Sequence, residues 1–158
     1  MKPGAAPFNT ALIEQRLKDA LPQGTLRQVA GAAEFATVTQ LQDFPAPCAY
    51  VLLARESFDD VKDGMAFPGE QSAMDQPVRV TFGVVLAMQN YREQRGAQLS
   101  PDLVALLGQV RSVLLGYVPP VPGGRACKLR QGDLTHYDAG TLLWTDVWQT
   151  KHTIGVAP

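Results

Sequence analysis

Apolar side chains occupy every second position from 78 to 88 (Val78, Val80, Phe82, Val84, Leu86 and Met88), and charge follows at once in "NYREQR". Alternation of this kind predicts a strand with one buried face. At ~3.3 Å per residue, a strand over residues 78–90 extends roughly 40 Å, about twice the usual length. Elsewhere the period lengthens. In "FNTALIEQRLKDALP" Leu12, Ile13, Leu17 and Leu21 form a helical stripe. Asn9 or Thr10 offers a cap, Phe8 can staple onto Ile13, and Pro22 ends the element. "TLRQVAG" suggests a short strand, and Ala32, Ala33 and Glu34 tilt "AAEFATVTQL" towards helix. "CAYVLLARE" (48–56) is apolar almost throughout, as in a central strand covered on both faces.

The clearest helix is "LSPDLVALLGQVRSVLLGYVPP". Ser100 is placed to cap it, Pro101 takes the first position and Asp102 suits the positive end of the dipole. Leu103, Leu106, Leu107, Val110, Val113, Leu114 and Tyr117 share one face, which must dock on the sheet. Gly116 and Pro119 stop the helix. After the turn-rich "PPVPGG", the segments "CKLRQGDLTHYD" and "TLLWTDVWQTKHTI" predict a hairpin turning near Ala139 and Gly140. There is no internal repeat. The elements add up to one α+β domain over residues 1–158. It has a mostly antiparallel sheet, two or three helices packed on one face, a long loop (57–76), an extended hairpin and a C-terminal tail (150–158).

With 158 residues, 46% of them hydrophobic, the chain can bury a core without disulfides or metals. Its two cysteines, Cys48 and Cys127, lie far apart with no His or Cys at metal spacing, so buried thiols are expected. No apolar run reaches the ~18 residues of a membrane span, and the start lacks a signal-peptide core, so assembly in the cytoplasm is expected. A net charge of −1 removes bulk electrostatics as an argument for nucleic acid.

Candidate chemistry is sparse. Cys127, His136 and Asp138 have the identities of a nucleophile, a base and an orienting carboxylate, which keeps a cysteine hydrolase formally open. Cys127, however, sits on a strand with no helix N-terminus to activate it. His152 is expected to be exposed in the tail. Glu56, Asp59, Asp60 and Asp63 lack calcium-loop spacing, and "GYVPPVPGG" is no phosphate cradle, though it leaves a small peptide-binding module conceivable. No cofactor and no metal is expected.

The charge distribution says more. Residues 55–76 carry six acids against two bases, and residues 92–130 carry six bases against two acids. Opposite charge on two surfaces suits a subunit that joins others head to tail, a contact that closes into a ring when the rotation permits.

In element order and local phrasing the chain resembles the tail terminator proteins of long-tailed bacteriophages, closest to the small minor tail proteins of the Mu-like and siphophage type. The likeness runs from "LIEQRLKDAL" through "PAPCAYVLLARE" and "VRVTFGVVLAMQNYRE" to "GDLTHYDAGTLLWTDVWQTKH". The resemblance implies a non-enzymatic virion protein without cofactor, assembled as a ring, by analogy a hexamer, at the head–tail junction. Its implied partners are further copies of itself, the tail tube protein and a head-completion or neck protein, with no membrane and no sequence-specific nucleic acid. Another neck or tail-completion protein is the nearest alternative. Contacts with neighbours are expected from the acidic loop (Asp59, Asp60, Asp63, Phe67), from the long strand and its far end (Arg79, Arg92, Arg95), and from Trp148.

Overall fold

The structure is a computed structural model that describes residues 1–89, 101–138 and 140–158. The expected contacts Arg92 and Arg95, the Ser100 cap and the Ala139 turn position lie outside the described residues. Among the described residues five strands form one sheet: β1 (Gln28–Ala30), β2 (Cys48–Phe58), β3 (Met74–Gln89), β4 (Lys128–Asp138) and β5 (Thr141–Val156). Their order is β1-β2-β3-β5-β4, antiparallel throughout except for the short parallel β1–β2 pair. The helices among the described residues are α1 (Ala11–Ala20), α2 (Ala32–Thr37) and α3 (Pro101–Leu114), with a 3-10 turn at Leu41–Asp43. The fold is α+β, as the periodicity predicts.

The long strand is longer than expected and grows in the other direction. β3 has 16 residues, all paired with β5 from Met74↔Val156 to Gln89↔Thr141, so the pair spans roughly 50 Å. Pro77 lies inside it. Its carbonyl accepts from the Asp59 amide at 3.2 Å, so its missing N–H faces the end of β2, where the Asp59 carbonyl accepts from Gln76 Nε2 at 2.9 Å instead. The loop between β2 and β3 is therefore residues 59–73, shorter than the expected 57–76. Residues 150–158 are not a tail either, because β5 continues to Val156.

Alternation along β3 builds two cores. Val78, Val80, Phe82, Val84 and Leu86 point to one face, where Ile13 and Leu17 of α1 and Leu103, Leu107, Val110 and Leu114 of α3 cover them. Each large aliphatic buried this way is worth roughly 1.5–3 kcal/mol. Phe82 stacks between Phe8 and Trp148, with ring centroids 6.4 Å away on each side. Phe8, expected to staple onto Ile13, thus finds its aromatic partners on the sheet. Arg16 ties α1 to α3, donating to the Val113 carbonyl at 3.1 Å and lying 4.7 Å over the Tyr117 ring. α3 ends at Leu114, and Gly116, at φ +83°, turns the chain so that its amide meets the Cys127 carbonyl.

The opposite face is covered only at one end. There Val85, Ala87, Cys48, Tyr50 and Leu143 lie under α2 and the 3-10 turn. Phe35, Phe44 and Tyr50 form a triangle with centroids 5.5–5.8 Å apart, and the Tyr50 hydroxyl donates to Gln28 Oε1. Two helices therefore share one face while the third packs on the other. Beyond Val85, towards Arg79, no helix among the described residues covers this second face.

Candidate assembly surface

The uncovered part of the second face is basic. Register and alternation put Ser57, Arg79 and Lys151 in one cross-strand row, and Arg55, Thr81, Gln149 and Lys128 in the next, about 7 Å away. All four bases are exposed. Arg79 stands directly opposite Lys151, a like-charge pairing that costs stability in an isolated sheet. Asp59 relieves part of this through an ion pair with Arg79 at 3.3 Å. Among the described residues, Arg55, Lys128 and Lys151 form no ion pair. Arg125 extends the patch, since its amide donates to the Lys151 carbonyl and its own carbonyl accepts from Thr150 Oγ1. Arg125, Lys128, Gln149 and Lys151 line a cleft of about 280 Å³.

The second surface is the arm formed by residues 59–73. Its tip is a turn in which the Glu70 amide donates to the Phe67 carbonyl at 2.9 Å, and Pro68 and Gly69 take the middle positions. Gly69 at φ +89° and proline before it are the residues a type II turn demands. The two limbs of the arm meet at Gly64 and Ser72 so closely that a Cβ on Gly64 would collide with the Ser72 side chain. The tip carries Met65, fully exposed, and Phe67, 78% exposed, and the limb that leads to it carries the exposed carboxylates of Asp60 and Asp63. Such a concentration of open apolar surface on one protrusion marks a contact site. A third feature is the free edge of β4, where Leu134 and Tyr137 are about half exposed.

The expected contact residues separate accordingly. Asp60, Asp63 and Phe67 are on the arm, and Asp59 and Arg79 join the arm's base to the basic face. Trp148 is a correction: it is fully buried in the protomer core, stacked on Phe82, and presents nothing to a neighbour. Bulky aromatics belong to cores as often as to interfaces, and only its parity with Phe82 across the β3–β5 pair identifies its side. Arg55, Lys128 and Lys151 were missed. They come from three strands distant in sequence, and only the register of the sheet gathers them.

The candidate cysteine chemistry does not assemble. Cys127 immediately precedes β4 and His136 lies near its far end, roughly 25–30 Å away along the strand. Burial pushes the Cys127 thiol up to about 11, partly offset by its hydrogen bond with Thr150, so it is not a thiolate at neutral pH. Both cysteines are free and buried. His152 is likewise corrected from exposed to buried: it faces Val78 across the β3–β5 pair and meets Phe8 edge-on at 5.6 Å. Among the described residues, no three His, Cys, Asp or Glu side chains are grouped to hold a metal ion, and no helix is long and apolar enough to cross a membrane.

The family model described as phage tail terminator protein matches residues 4–158, nearly the whole length. Among curated proteins none matches the chain in sequence.

Proposed function

The chain belongs to the phage tail terminator family, and from that premise we propose that it closes the head-proximal end of the tail tube as a ring, a hexamer by analogy with the family. The family is one of structural proteins, so the chain is a structural component of the virion tail with a role in tail completion. In the proposed mechanism one face of the ring matches the last ring of tube protein, which stops further addition. The other face offers the head-completion proteins a different surface, and assembly takes place in the host cytoplasm.

The observation that carries this reading is the arm. A protomer that leaves Met65 and Phe67 in solvent on a built, turn-closed protrusion is incomplete by itself, and a neighbouring subunit is the natural cover. The free β4 edge and the uncovered basic face add further surface for contacts with copies or with tube protein. The test is polymerisation of purified tube protein with and without this chain. Tubes are expected to stop growing when it is added at substoichiometric amounts, with one ring per capped end. Unchanged elongation at saturating amounts would refute the proposal.

A further inference from the structure

We infer that in the assembled ring the acidic arm of one copy docks on the basic sheet face of the next copy. This inference rests on the ring reading above and deepens it by naming the two surfaces that meet.

Charge complementarity is the first argument. Among the described residues, Asp60 and Asp63 on the arm are exposed and form no ion pair, and Arg55, Lys128 and Lys151 on the sheet face are in the same condition. Only Asp59, at the arm's root, reaches its own face, where it pairs with Arg79. That pair fixes the root while the carboxylates further along remain open. Arg79 and Lys151 also stand directly opposite each other, and Asp59 relieves that opposition only in part. Among the described residues one carboxylate serves this row, and the next row brings two more bases, so the face retains an excess of positive charge that an acidic neighbour removes.

The second argument is apolar. Val147 and Leu52 are half-buried on the same face, in the row beyond Arg55 and Lys128, and form a floor onto which Phe67 and Met65 can set while the flanking charges pair. Exposed ion pairs are individually weak and chiefly guide encounter and register, so the apolar tip supplies the anchor. Finally, the two patches are different surfaces of one molecule. The contact can therefore run head to tail, the type from which rings are built.

The experiment uses the full chain with tube protein present, and reads ring formation by light scattering and electron microscopy. Face reversal (Lys128→Glu with Lys151→Glu) and arm reversal (Asp60→Lys with Asp63→Lys) alter only exposed side chains, and circular dichroism checks each fold. Each reversal alone is expected to weaken ring association at least tenfold, and the chain carrying both reversals is expected to recover most of it. Assembly of the unmodified protein should also weaken as salt rises towards roughly 1 M, where the Debye length is about 3 Å. Single reversals that assemble like the original chain would overturn the inference, as would a doubly reversed chain no better than either parent or assembly indifferent to salt. If the original chain forms rings in those cases, only this inference falls. If the original chain forms no ring with or without tube protein, the ring reading fails and the inference fails with it.

Discussion

Arg111 on α3 grips Asp146 on β5 with two parallel hydrogen bonds, Nε to Oδ2 at 2.8 Å and Nη2 to Oδ1 at 2.7 Å. The carboxylate is 1% exposed, and Trp144 Nε1 donates to the same Oδ1 at 2.8 Å. The Asp146 partner raises the Arg111 guanidinium above its ordinary value, against a smaller opposing effect of burial. This clamp fixes how α3 sits on the sheet, and the helix in turn covers the core beneath the long strand.

Removing Arg111 leaves a buried carboxylate with one neutral donor. Arg111→Ala is expected to cost about 3 kcal/mol, at the low end of the range for a broken buried pair because a third of the arginine side chain keeps its water. In a chain of this size that lowers the melting temperature by roughly 6–12 °C, readable by calorimetry. Replacing both partners by apolar residues, Arg111→Met with Asp146→Leu, should recover part of the loss but not all, since Trp144 then has no acceptor.

Gly132 makes the clamp possible. A Cβ there would lie 2.6 Å from Asp146 Oδ1, 2.8 Å from Arg111 Nη2 and 2.9 Å from the Trp144 ring. Gly132→Ala should therefore destabilise by about 1–3 kcal/mol through overpacking. Thermal denaturation checks this. A midpoint unchanged from the original would show that the strand simply moves outward.

Much of this was legible in the sequence. The alternation of 78–88 identified the core face of β3, and the 3.6 spacing of Leu103, Leu107, Val110 and Leu114 identified its cover. Arg111 shows where linear reading stops. In the charge tally it counts as one more surface base, whereas its charge is consumed inside the fold by a residue 35 positions away. The same limit hid the basic face, because alternation tells which residues share a side within one strand but not which strands lie together. Trp148 and His152 were misassigned for a related reason: nothing local shows that β5 runs the full length of β3.

Cys127 gives a chemical prediction. With its thiol held up to about 11 by burial, it should resist alkylation in the native protein at pH 8 and react once the chain is unfolded. Cys127→Ala should cost roughly 1 kcal/mol of stability and leave tail completion intact. Loss of tail completion in a folded Cys127→Ala protein would reopen the cysteine chemistry.

His152 gives a pH prediction. Burial lowers its affinity for a proton, an effect partly countered by the nearby Glu56, and among the described residues no hydrogen-bond partner meets its Nε2. The unfolded chain therefore takes up a proton near 6.5 while the folded one resists. The contribution of His152 is complete above about pH 6.5 and is lost as pH falls through its lower folded value. Denaturant titrations from pH 8 to pH 5 should show this decline. His152→Phe should flatten it, leaving only the dependence that the carboxylates impose.

The position of this protein in the particle can be seen by imaging tails that carry it with a bound antibody fragment. One ring-shaped density per tail is expected, at the end that meets the head. Label spread along the tube, or confined to the opposite tip, would contradict that expectation.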